Sequence, residues 1–136
     1  MSVTPRELLQ LAIERCRSPQ PVRRRAAISR GYYAAFHAGA QLVARLGIRI
    51  SKGPAGHGEL RARFLNSGDS ELVRIGSQLS DLHSKRIAAD YKLGDEDVED
   101  PPSAVEYVKD ATSILDVFEA CAHEPRRGQV AKALKP

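Results

Sequence analysis

The run SRGYYAAFHAGAQL, residues 29 to 42, carries an arginine at position 30 and a histidine at position 37. Both side chains suit phosphate chemistry. Histidine moves protons near neutral pH, and arginine offers a fixed, planar cation that grips a phosphate through two hydrogen bonds. Together they suffice to cleave RNA without a metal. His37 would assist proton transfer as a ribose 2′-hydroxyl attacks the adjacent phosphate, and Arg30 would stabilise the charge developing there. The nucleophile in that scheme belongs to the substrate, so the protein need not supply one.

The spacing lets the pair act together only if the segment is a helix. Seven residues are two turns, about 10.5 Å along the axis, and place both residues on one face. With Arg30 set at 0°, Ile28, Tyr32, Ala35, Gly39, Leu42, Val43 and Leu46 fall between about 120° and 220°, with Phe36 beside them. That is a core stripe. His37 at about −20° and Gln41 at about +20° share the side of Arg30, with Arg23 close by. Ala26, Ala27 and Ala34 lie between them and Tyr33 at the margin. A solvated face normally carries Glu, Lys and Gln, so this face predicts close approach by another helix, a second copy of the chain or a ligand. The plainer alternative is that Arg30 and His37 only hydrogen-bond neighbouring groups in such an interface.

Helical patterning extends through the chain. Thr4-Pro5-Arg6-Glu7 predicts a helix start, with a capping threonine, Pro at the first position and Glu at the third. Leu8, Leu9, Ala12, Ile13 and Cys16 follow as its apolar stripe, ending at Ser18-Pro19-Gln20-Pro21. A longer helix is predicted from Val22 to Leu46, a glycine-rich loop over Ile48–Gly58, and a short helix from His57 to Leu65. Residues 70–92 predict a third long helix on Leu72, Ile75, Leu79, Leu82, Arg86 and Ala89. The segment GDEDVEDPP reads as an exposed acidic loop. Ser103-Ala104-Val105-Glu106 predicts a second capping box, opening a helix to about Cys121. From His123 onward the chain is basic and weakly patterned, the expectation for a frayed tail. No alternating strand pattern occurs. The expected architecture is all-α: a helical bundle of four main helices plus a short one over residues 1–122, followed by the tail over 123–136.

The 136 residues are 42% hydrophobic and 28% charged, the balance of a folded globular chain. Residues 1–49 hold nine arginines against Glu7 and Glu14, a net of +7, whereas residues 50–136 sum to −3. An arginine-only basic half favours phosphate or carboxylate recognition, so nucleic acid and an acidic protein are both admissible partners. No apolar stretch reaches membrane-spanning length and no secretory leader pattern opens the sequence, so a cytoplasmic protein is expected. Cys16 and Cys121 read as buried free thiols. The four histidines lack metal-ligand spacing, so neither metal nor cofactor is expected.

Other polar residues admit two readings each. Arg86 and Asp90, four apart, suit an intrahelical ion pair at the edge of the core, with His83 one turn before Arg86. The alternative places Arg86 in the groove of Arg30, on a phosphate. Tyr91 reads as core filling, or as a platform for a base. His57, in GPAGHGEL, reads as a capping or solvent histidine, and His123 as part of the tail. Arg23-Arg24-Arg25 leads along the helix into Arg30 and would extend a phosphate track.

The segments RRAAISRGYYAAFHAGAQLV, GHGELRARF and RIAADY, in that order and spacing, resemble the HEPN domain (higher eukaryotes and prokaryotes nucleotide-binding), of the SRxYYAxFH variety. The resemblance covers roughly residues 5–120. It implies an up-and-down helical bundle that is usually a homodimer. Many members are metal-independent endoribonucleases with an Arg-x4–6-His motif, matched here by Arg30 and His37. They act as toxins beside a nucleotidyltransferase-type antitoxin, or in defence and stress responses. Gly31 stands where active members commonly carry a polar residue. Other members serve as inactive binding or dimerisation modules, which is the second reading here: a module binding a nucleotide, RNA or protein partner. The expected site therefore comprises Arg30 and His37 as catalytic residues, with Arg23, Tyr33 and Arg86 as RNA contacts.

Overall fold

In the computed structural model, which describes residues 3–135, the chain is all-helical and forms a bundle, as the sequence patterning predicts. Helix α1 spans Pro5–Arg15, α2 Pro21–Arg45, α3 Ala55–Leu65, α4 Ser70–Tyr91, α5 Pro101–Cys121 and α6 Arg126–Leu134. A single 3₁₀ turn, Asp97–Glu99, precedes α5. Among the described residues no helix is long and apolar enough to cross a membrane.

The central element is α2, which packs against α1, α4 and α5. Pairings along it give the directions. Ser29 meets Asp90 and Tyr32 meets His83, so α4 runs antiparallel to α2. Gly31 lies beside Val108 and Gly39 beside Phe118, so α5 runs parallel to it. The core holds Tyr32, Phe64, Leu9, Ile28, Leu60, Leu72, Ile75, Leu79, Leu82, Ile114, Leu115 and Val43, all fully buried. Cys16 and Cys121 are buried free thiols.

Local chemistry sets the helix ends. The Thr4 hydroxyl accepts from the Glu7 amide, and the Glu7 carboxylate accepts from the Thr4 amide, closing the capping box that starts α1. No second box forms at Ser103. Helix α5 begins at Pro101, with Asp100 as its cap residue, and the Ser103 hydroxyl donates back to the Asp100 carboxylate. Two successive prolines preset the helical φ and carry no amide needing a cap, so the helix nucleates upstream of the serine. Helix α3 likewise starts at Ala55, ahead of His57.

One further expectation is overturned and another is refined. The weakly patterned tail holds helix α6, anchored by buried Val130 and Leu134. Arg126 fixes it, donating to both carboxylate oxygens of Asp69 at 2.8 Å and to Glu71 at 2.9 Å. The acidic segment is largely exposed, as expected, but it is pinned in place: Val98 is buried, and Arg24 and Arg25 clamp the segment to α2. Arg24 donates to the carbonyls of Glu99 and Ser18. Arg25 donates to the Glu99 carboxylate and to the carbonyls of Ala88, Ala89, Lys92, Leu93 and Asp95. Both arginines are spent on structure, so the basic run of α2 gives no continuous phosphate track. Arg23 alone of the three is exposed.

Candidate functional site

Helix α2 leaves one narrow strip open. Arg23, Arg30, His37 and Gln41 are exposed along it, with Ala26 and Tyr33 half-buried at its edge. Ala27 and Ala34, placed on this face by the helical wheel, are fully buried instead. The wheel assumes one buried side, whereas a helix flanked on three sides by α1, α4 and α5 keeps only its crest in water. Among the described residues neither Arg30 nor His37 forms an ion pair. The His37 ring lies 6.0 Å from Tyr33 and 5.3 Å from Phe36, and partial burial lowers its pKa below the ordinary 6.5. At neutral pH it is thus an uncharged imidazole, able to take up a proton.

Gly31 does not border this strip. A Cβ built there would meet Ala111, Val108 and Ala12 at 3.6 to 3.9 Å, so the position faces inward between α1 and α5.

Beside the strip, α2, α3 and α4 bring together a group of rings and cations. The Tyr32 hydroxyl and His57 Nδ1 share a hydrogen bond of 2.5 Å. His57 stacks on Phe36 at 4.2 Å and lies 5.5 Å from the His83 ring. His57 is therefore neither a helix cap nor a solvent residue but a half-buried member of this group. The Arg86 guanidinium is buried among three tyrosines, 5.1 Å from the Tyr33 ring, 5.8 Å from Tyr32 and 5.9 Å from Tyr91. Its Nη1 stands 3.6 Å from Asp90, whose carboxylate also accepts from the Ser29 hydroxyl. Tyr91 is no core residue: 72% of it is exposed.

Burial holds these groups in their uncharged forms. His83 is pushed down to about 4 by burial, then by the nearby Arg61, His57 and Arg86 charges. Burial first, then the Arg86, Arg61 and His37 charges, lower His57. Burial raises the Tyr32 hydroxyl to about 12, so it stays protonated. Arg61, which the sequence reading passed over, belongs to this cluster. A signal for it was present: His57 and Arg61 are four apart on α3, as His83 and Arg86 are three apart on α4.

A separate cleft of about 790 Å³, lined in part by Arg49, Glu59, Arg63 and Lys135, opens between α3 and α6. Its polar groups are partly engaged, Glu59 with Ser51 and Arg63 with the Leu134 carbonyl. Among the described residues no group of His, Cys, Asp and Glu side chains is arranged to hold a metal ion. No family model matches the chain, and neither a curated protein nor a solved structure matches it.

Proposed function

We propose that the chain is a metal-independent endoribonuclease of HEPN type, working as a homodimer in which two Arg30/His37 strips line one groove. The observation that carries this reading is the pairing of an exposed arginine with an exposed, neutral histidine on the one open strip of α2. The chemistry follows from the side chains. His37 accepts the proton of a ribose 2′-hydroxyl as its oxygen attacks the neighbouring phosphorus. Arg30 donates to the phosphoryl oxygens as negative charge builds on them. The departing 5′-oxygen takes a proton from water, leaving a 2′,3′-cyclic phosphate and a 5′-hydroxyl, and the His37 imidazolium returns its proton to solvent.

Arg23 lies two turns before Arg30 on the same strip and would contact the RNA backbone. Tyr33, beside His37, and exposed Tyr91 offer rings to bases. In this reading the protein is a cytoplasmic toxin-like nuclease, restrained by a nucleotidyltransferase-type partner. The test is incubation of the purified protein with total RNA in EDTA, beside His37→Ala and Arg30→Ala variants. Cleavage by the wild type alone supports the reading. Intact RNA that is nonetheless bound overturns it in favour of a binding module, and variants that cut equally well overturn the assignment of the residues.

A further inference from the structure

On α2, α3 and α4 a histidine stands at helical spacing from an arginine, and the pairs His57–Arg61 of α3 and His83–Arg86 of α4 converge on Tyr32. Their charges are not balanced. The Arg61 guanidinium lies near enough to Tyr32, His57 and His83 to act on the protonation of all three. Among the described residues it forms no ion pair, and its Nη1 is shielded from water without a hydrogen-bond partner. Arg86 is only 7% exposed, and its Nε is likewise shielded and unpartnered. Among the described residues Arg86 pairs with one carboxylate, Asp90, at 3.6 Å and shared with Ser29.

Buried donors are almost always satisfied, and a charged one left empty points to a missing acceptor. The surroundings define what that acceptor would be. His57, His83 and the Arg86 guanidinium all lie against Tyr32, and His57 stands in the first turn of α3, a turn that holds no acidic residue. Its helix dipole adds to the positive potential. His57, His83 and Arg61 are each only partly buried, so the group is reachable from solvent. A tetrahedral oxyanion, able to accept from several donors at once, meets those requirements; a single carboxylate meets them less fully.

We propose that Arg61, Arg86, His57 and His83 form a binding site for a phosphate group, adjoining the Arg30–His37 strip. Phe36 links the two, lying 4.2 Å from the His57 ring and 5.3 Å from the His37 ring. The site anchors a phosphate that is not cleaved, so it stands or falls independently of the ribonuclease reading.

The experiment follows the histidine ring resonances of the full chain by NMR. Inorganic phosphate is titrated against chloride at matched ionic strength, followed by adenosine 5′-monophosphate and by a fully 2′-O-methylated oligoribonucleotide that cannot be cut. The expected result is saturable movement of the His57 and His83 signals with phosphate and not with chloride. Their apparent pKa values rise on binding, because the anion favours the imidazolium. Arg61→Gln weakens phosphate binding about tenfold or more, the loss of one charge-assisted contact, whereas Arg74→Gln at an exposed site on α4 does not. The nucleotide and oligonucleotide arms separate a free phosphate monoester from an RNA diester, and tighter binding of either supports the site. His57 and His83 signals that respond alike to phosphate and chloride overturn it, as does equal weakening by Arg61→Gln and Arg74→Gln. Should Arg61→Gln fail to fold, the wild-type titration decides alone. RNA cutting without any phosphate response sinks this site and spares the nuclease; a phosphate response without cutting does the reverse.

Discussion

The imidazole of His57 lies 5.5 Å from that of His83, with Tyr32 hydrogen-bonded to the first and in edge contact with the second. Two histidines this close, under two arginines, resist protonation in the folded state. His83, at about 4 when folded against 6.5 when free, stays neutral where the unfolded chain takes up a proton. The unfolded state therefore binds more protons as pH falls from 6.5 towards 4, and folding stability drops across that window. Below about 4 this group contributes no further loss. Urea unfolding at pH 7.5 and pH 5 is expected to show the protein about 1–2 kcal/mol less stable at the lower pH. His83→Gln should remove most of that difference; a stability unchanged or rising on acidification would contradict the cluster.

His37 is lowered too, by burial alone. If it acts as the proton acceptor, RNA cleavage should fall on the acid side as its imidazole becomes charged and hold above that. His37→Ala should lower cleavage by about a hundredfold or more, the usual size of a general-base contribution. Arg30→Lys keeps the charge but loses the two-pronged geometry, and should recover only part of what Arg30→Ala loses. Rates of a fluorescent oligoribonucleotide in EDTA, measured from pH 5 to 8.5, check all three. A flat acid limb would remove His37 from the proton transfer.

Arg25 offers a stability counterpart. Its guanidinium satisfies five carbonyls from the end of α4 and the loop beyond, as well as Glu99. Arg25→Met keeps the volume but strands those acceptors and leaves Glu99 unpaired, an expected loss of about 3 kcal/mol or more. Arg23→Met, two positions away and exposed, should cost less than about 0.5 kcal/mol. Chemical denaturation of the two variants side by side distinguishes a structural arginine from a free one.

Most of the fold was readable because it rests on short-range patterns. The Thr4–Glu7 box closes within one turn, and the apolar stripes of α2 and α4 repeat many times over. Elements fixed from far away were not readable. Helix α6 owes its place to Arg126, whose partners Asp69 and Glu71 sit at the start of α4. The site divides in the same way. Arg30 and His37 share one helix, so their spacing alone places them together. His57, Arg61, His83 and Arg86 form pairs that each look ordinary, and only the packing of α3 and α4 on Tyr32 makes them one group.

Gly31 belongs to the same lesson. Next to Arg30 in sequence, it points the other way, towards Ala111, Val108 and Ala12. A methyl group fits there at ordinary contact distance, and alanine is favoured over glycine inside a helix by about 0.5–1 kcal/mol. Gly31→Ala should therefore raise stability by about that amount and leave any cleavage rate unchanged. Gly31→Asn should lower stability by about 1–3 kcal/mol, since its amide would be buried without partners. Thermal melts settle both, and a destabilised alanine variant would mean the helices pack more closely here than described.

The α6 anchor supplies an acid-sensitive ion pair. Hydrogen bonds from Arg126 hold the Asp69 carboxyl down to about 2, against 3.8 unpaired. A carboxylate lowered in the folded state contributes stability that is fully present above 3.8 and disappears as pH falls towards 2. At neutral pH, Arg126→Ala should cost about 1–2 kcal/mol, the range for a partly buried pair with several hydrogen bonds. The same substitution also removes the tether on Val130 and Leu134, so amide exchange in α6 should accelerate more than in α5. At pH 2 the wild type and Arg126→Ala should converge in stability, because protonated Asp69 no longer rewards the arginine. A stability gap that persists unchanged at pH 2 would mean that Arg126 acts through something other than the ionised Asp69, and no gap at neutral pH would mean that α6 is held by its apolar residues alone.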